Sequence, residues 1–186
     1  LQILISIDTL AYPISIFLAL KTILFRTSRG YAMPRMNILN KSEQEMFDAP
    51  PVFSSAERKR FCNFQNSLKE KTETLRKPST KIGFLLSCGY FKATKRFFKP
   101  EDYHQNDTAY VARILNLLPD QFAPEQYVQS TRHWHQDIIL EFYGYRRFDQ
   151  QSLDAISEEI ISMMRSQLKP RLIFWRCIDV LIRERV

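Results

Sequence analysis

Apolar residues recur at helical spacing through most of the chain, and prolines, glycines and capping residues cut the pattern into helix-length pieces. The densest piece is 81–99. Ile82, Leu85, Leu86, Gly89, Ala93 and Phe97 share one face there, and Phe84, Cys88, Tyr90 and Phe91 add further apolar positions. This predicts a core helix on which neighbours pack. Lys92, Lys95, Arg96 and Lys99 follow at i, i+3, i+4 and i+7, which on a continuous helix forms one cationic face. Upstream, Ser42-x-x-Glu45 reads as a capping box opening a short helix over 43–47, and two prolines break the chain after Asp48. Ser54-x-x-Glu57 is a second box, before a helix with Phe61 and Phe64 on its apolar side. Leu68 and Leu75 mark another helix ending near Lys77-Pro78.

Beyond Lys99-Pro100, Asn106 or Asp107 can cap a helix carrying Tyr110, Val111, Ile114, Leu115 and Leu118. Pro119 and Pro124 bracket a loop around Phe122. A helix within 126–143 has Trp134, Ile138, Ile139 and Phe142 along one side, with Gly144 as its C-cap. Asp149 or Ser152 caps the next, whose stripe is Leu153, Ile156, Ile160, Met163 and Met164. Pro170 starts a last helix, apolar at Ile173, Phe174, Cys177, Ile178, Leu181 and Ile182. No alternating strand pattern is present, and four glycines are few for a sandwich or barrel. The expected fold class is all-α, a multi-helix array that can divide into two small helical subdomains near 100–124.

Residues 1–32 differ. The run 1–25 is strongly apolar, with Lys21, Arg26 and Arg29 flanking its end, and Asp8, Thr9 and Pro13 interrupt it. The expectation is an apolar leader not native to the domain, which then starts at Met33; a membrane anchor is the minority alternative. The last helix reaches Val186 without a cap and with apolar surface to cover, so the expectation at that end is a cut through a longer protein.

Charge sharpens this picture. The net charge is +7, yet 57–99 alone carries twelve basic residues against three acidic ones, a net of +9. Such a block points to nucleic acid or anionic lipid. Cys62, Cys88 and Cys177 are far apart in apolar contexts and read as reduced, buried thiols. Candidate DNA contacts are Lys92, Lys95, Arg96 and Lys99, with Lys81 on the same segment and Arg58, Lys59 and Arg60 on a separate short helix. The competing reading of the first four is a helix end complemented by its own cations. In Arg132-His133-Trp134-His135, histidines at i and i+2 do not share a helix face, so zinc is poorly supported. Trp134 is expected in the core, with Arg132 and the histidines exposed beside it. The turn 143–148 brings Arg146 and Arg147 among three aromatics, either to bind a phosphate backbone or to close the core beneath a loop. No phosphate loop, nucleophile elbow or zinc-protease motif is present, so no catalytic, metal or cofactor residue is nominated.

An ordered set of short motifs resembles the start of Tn-three-type transposases, the large enzymes of replicative transposons. It runs from Met33-Pro34-Arg35 and Ile38-Leu39 through Ser42-x-x-Glu45, Arg60-Phe61 and Leu75-Arg76-x-Pro78-x-Thr80-x-Ile82-Gly83-Phe84-Leu85-Leu86. Gly89-Tyr90-Phe91-Lys92-Ala93, Asp102-Tyr103, Tyr110-Val111-Ala112, Arg132-x-x-His135 and Gly144-Tyr145-Arg146-x-Phe148 continue it. The resemblance covers 33–186. It implies the helical N-terminal region that binds terminal inverted repeats. The family's acidic catalytic triad lies in an RNase H-like domain far toward the C-terminus, so no enzymatic activity is expected of this stretch. The implied partners are double-stranded DNA and the missing C-terminal domains of the same transposase, in the bacterial cytoplasm and on the nucleoid when bound. No small-molecule substrate or cofactor is implied. The alternatives are a helical assembly module of the transposase, or a decayed gene fragment without independent activity.

Overall fold

The computed structural model describes residues 38–186 except Gln167, without the side chains of Ala155 and Met164. The leader 1–32 and the start at Met33 lie outside the described residues, as does the side chain expected at Met164 in the penultimate helix. Among the described residues eight α-helices form: α1 Lys41–Asp48, α2 Ser55–Phe61, α3 Asn66–Glu73, α4 Pro78–Thr94, α5 Gln105–Ile114, α6 Gln129–Tyr143, α7 Gln150–Arg165 and α8 Pro170–Arg183. Short 3-10 turns at Pro100–Asp102, Pro119–Gln121 and Pro124–Gln126 join them. There is no strand among the described residues, and the fold class is all-α. None of the described helices is long and apolar enough to cross a membrane.

Local chemistry sets the helix ends. Ser54 and Glu57 form the expected capping box, Ser54 N–H donating to Glu57 Oε2 at 2.8 Å and Glu57 N–H to Ser54 Oγ at 3.3 Å. At α1 the box sits two residues earlier than expected: Asn40 N–H donates to Glu43 Oε2 and Glu43 N–H to Asn40 Oδ1, both at 2.9 Å. The Asn40 carbonyl already accepts Gln44 N–H, so Ser42 lies inside the helix. Gly144 ends α6 with φ 70°, the left-handed conformation that glycine adopts without a Cβ clash. Asp149 caps α7 by accepting Ser152 N–H at 2.8 Å. Asp107 is not a cap; it turns inward from the first turn of α5 and is 1% exposed.

The described residues divide into two compact units, one made of 38–46 together with Tyr145–Val186, the other Phe47–Gly144. The boundary falls within α1, and the stretch 100–124 lies inside the second, central unit.

In the central unit α2, α3, α5 and α6 pack on α4. Ile82, Phe84, Leu85, Leu86, Cys88 and Tyr90 are each at most 1% exposed, and burying each large apolar side chain contributes about 1.5–3 kcal/mol. Close packing around α4 depends on two glycines. A Cβ at Gly83 would lie 2.5 Å from Tyr127 Cδ1, and one at Gly89 would lie 3.2 Å from Cys62 Sγ. Alanine is the better helix former by about 1 kcal/mol, yet Gly83→Ala is expected to destabilise the unit by about 1–3 kcal/mol, because the Tyr127 ring must move. Urea unfolding measures this, and the same substitution in a Tyr127→Ala background should cost much less.

In the other unit α7 and α8 pack on each other. Ile156, Ile160 and Met163 meet Ile173, Phe174, Cys177, Val180 and Leu181 as buried residues. Arg146 N–H donates to the Arg185 carbonyl at 2.8 Å, tying the start of the pair to its end. Arg171 Nη2 pairs with Glu43 Oε1 at 2.7 Å.

Candidate nucleic-acid interface

The cationic face expected over 92–99 does not exist as a helix face. The helix stops at Thr94, and Lys95 takes φ 59° while its N–H bonds the Phe91 carbonyl. The reason is aromatic packing. Phe97 stacks on Phe91 at 4.9 Å and Phe98 meets Tyr90 edge-on at 5.7 Å. On an unbroken helix Phe97 would sit about 9 Å further along the axis than Phe91, so the chain must turn back to make these contacts.

That turn gives the four cations separate surroundings. Lys92 Nζ donates to the carbonyls of Arg60 at 3.0 Å and Asn63 at 3.3 Å, closing the end of α2. Lys95 Nζ donates to the Lys92 carbonyl at 2.9 Å and lies 5.9 Å from the rings of Phe91 and Tyr143. Arg96 donates Nη2 to the Phe47 carbonyl, and its guanidinium sits 4.0 Å over the Phe47 ring. Burial works against the Arg96 charge, and Asp48 supports it. Only Lys99 of the four is well exposed. Lysines on C-terminal carbonyls are what a helix dipole favours, and Lys92 and Lys95 do that here.

Arg58 is also built into the fold. Its Nε donates to Asp107 Oδ1 at 2.7 Å and its Nη2 to the Phe53 carbonyl at 2.7 Å. Lys81 Nζ pairs with Glu73 Oε2 at 3.0 Å. Arg146 Nη1 donates to Asp149 Oδ1 and Ser152 Oγ, both at 2.8 Å. The Asp149 carboxyl is pulled down to about 2, chiefly by the hydrogen bonds from Ser152 and then by Arg146. Arg147 is exposed.

The expectations for Trp134 and His135 are reversed. Trp134 is 51% exposed and His135 is 1% exposed. The buried stripe of α6 runs through His135, Ile139 and Leu140, one position out of phase with Trp134. Arg132 and His133 are half-buried. His135 Nδ1 lies 2.8 Å from Tyr127 OH, and the Phe84 ring meets its edge at 4.7 Å. Its Nε2 is buried without a partner, as is Arg132 Nε. Burial pulls the His135 pKa down to about 4. Nearby, Ser87 Oγ and Tyr103 OH are 2.9 Å apart, and burial raises the phenol pKa values of Tyr103 and Tyr127. The three cysteines are buried and free, and burial pushes Cys62 and Cys177 up to about 12 and Cys88 still higher. Such thiols are poor nucleophiles at neutral pH.

Within the basic block, the cations that reach solvent are Lys59, Arg60, Lys69, Lys71, Arg76, Lys77 and Lys99. Six of them gather at the two ends of α4. Lys59, Arg60 and Lys99 lie at its C-terminal end, where Lys92 ties α2 to α4. Lys71, Arg76 and Lys77 lie at its N-terminal end, Lys77 being the N-cap of α4 itself. Lys69 is on α3 just before them. Lys69, Lys71, Arg76 and Lys77 are not among the candidates that the helical spacing and the basic clusters pick out. The polar composition of α3 and the charge block itself were the available signals.

No curated protein and no solved structure matches the chain. Residues 38–186 match the family described as "Domain of unknown function (DUF4158)", and the chain belongs to that family.

Proposed function

We propose that this chain is a DNA-binding helical region of a transposase that positions the enzyme on terminal inverted repeats. The observation that carries the reading is the set of seven solvent-facing cations on the central unit, held on a well-packed helical frame. Domains of this family occur in transposases, which agrees with the ordered motifs of 33–186. Phosphate contacts come from Lys59, Arg60, Lys69, Lys71, Arg76, Lys77 and Lys99, and helix-capping Lys92 and Lys95 support the fold beneath them. A mobility-shift titration with terminal-repeat duplex and with scrambled duplex of equal length tests this. Tighter binding to the repeat is expected, weakening steeply with salt; equal, weak binding to both would defeat it.

A second reading, an assembly module for other transposase domains, draws on one observation. Leu168, Leu172 and Trp175 are 41%, 52% and 39% exposed at the start of α8 and just before it, and exposed apolar rows of this kind suit protein partners. Equal, weak DNA binding in the titration would favour it.

A further inference from the structure

We infer that the central unit grips one DNA duplex at two points, through cation clusters held at opposite ends of α4; the inference rests on the DNA-binding reading above. The burial of α4 sets its role. Its residues 82–91 are all buried, so α4 cannot lie in a groove as a reading helix does. What α4 does is set a distance. Its 17 residues at about 1.5 Å each span about 25 Å, the length of about seven base pairs of duplex.

Each end of α4 is fixed to its cations by named contacts. At the C-terminal end, the Lys92 ammonium holds the carbonyls of Arg60 and Asn63. It therefore anchors the last turn of α2, which presents Lys59 and Arg60. Lys99 follows the turn that Phe97 and Phe98 fold back onto α4. At the N-terminal end, the link from α3 to α4 is short. Thr74 N–H bonds the Lys71 carbonyl, Leu75 N–H bonds the Thr72 carbonyl, and the Lys77 carbonyl accepts Thr80 N–H and Lys81 N–H in the first turn of α4. Lys71, Arg76 and Lys77 are thereby held on one tight connection, and all three are exposed. On α4 itself, Lys81 near the N-terminal end is paired with Glu73 and Lys92 near the C-terminal end is spent on carbonyls, and Lys69 on α3 is the exposed cation of the block outside the two clusters. Six of the seven exposed cations of the block thus lie at the two ends of α4.

Two neutralised variants of the full chain test the inference. One carries Lys71→Gln, Arg76→Gln and Lys77→Gln; the other carries Lys59→Gln, Arg60→Gln and Lys99→Gln. All six residues are exposed, and circular dichroism of each variant confirms an unchanged fold. Affinity is measured against salt on a duplex of about 20 base pairs and on a loop-closed duplex of about 6, too short to reach both clusters. On the long duplex each variant should lower the log–log salt slope by about 2–3, at about 0.9 per phosphate, and combining them should add the two losses. On the short duplex the unmodified chain should show the slope of a one-cluster variant on the long one. If either variant keeps the unmodified slope on the long duplex, the two-point grip is wrong while DNA binding stands. If the unmodified chain binds no DNA at any salt, the DNA-binding reading falls, and this inference with it.

Discussion

Asp107→Ala is expected to destabilise the central unit by about 3–5 kcal/mol, the range for removing one partner of a buried ion pair. Asp107 is 1% exposed and serves two donors. Arg58 Nε donates to Oδ1 at 2.7 Å and Tyr90 OH donates to Oδ2 at 2.8 Å. One carboxylate thereby joins α2 and α5 through the core helix α4. Removing it leaves a guanidinium that is largely out of water and a phenol with no acceptor. Burial and the bond to Asp107 both raise the Tyr90 pKa, so this phenol cannot escape the loss by ionising. The neighbouring aromatics add to the cost, because Phe53, whose carbonyl accepts from Arg58 Nη2, packs 5.3 Å from both Phe61 and Tyr90. Asp107→Asn should cost less, since an amide oxygen still accepts from one donor. Urea unfolding monitored by circular dichroism gives the numbers, and a loss under about 1 kcal/mol for the alanine variant would show that the network is not a buried ion pair in solution.

The second large effect is on pH. His135 has an ordinary value of 6.5 and about 4 in the fold, lowered by burial. The unfolded chain therefore takes up a proton first as pH falls. The neutral imidazole's full contribution is present above pH about 6.5 and is lost between about 6.5 and about 4. With about 1.4 kcal/mol per unit, the loss approaches about 3 kcal/mol below the lower value. The packing explains the size of the shift. The ring lies between Phe84 and Tyr127, its Nδ1 is engaged by Tyr127 OH, and its Nε2 has no partner that could share a positive charge. Carboxylates titrate over part of the same window, so the measurement is a comparison. Stability against pH in the unmodified chain should fall more steeply from 6.5 to 4 than in His135→Gln, whose side chain does not ionise. Parallel curves over that window would mean that His135 is accessible to protons in the folded state.

Much of the helical layout was legible from residues that act on their immediate neighbours. Ser54 and Glu57, Gly144, Asp149 and Pro170 all mark helix ends where local hydrogen bonding or backbone geometry requires them. The apolar density within 81–99 announced a core helix, and α4, which stops at Thr94, is buried along most of its length. The candidate site was far less legible. A cation reads the same in sequence whether it faces solvent, closes a helix or fills a core. Arg58 faces Asp107, 49 residues away, and Arg96 faces Phe47, also 49 residues away. No periodicity carries such information. Trp134 and His135 show the same limit at shorter range. Both positions suit a mixed helix, and only the packing of Tyr127 and Phe84 determines which ring goes inside.

The sequence by itself determined an all-α chain, its principal core helix, most of the helix ends and the location of positive charge between 57 and 99. Each of these follows from interactions within a few residues, or from composition. The tertiary structure alone decided where the core helix ends. Phe97 and Phe98 gain more by folding back onto Phe91 and Tyr90 than by continuing the helix, and Lys95 turns through a left-handed conformation to allow it. That one turn dissolves the cationic face, makes caps of Lys92 and Lys95, and leaves most of the exposed charge of the block at the two ends of α4.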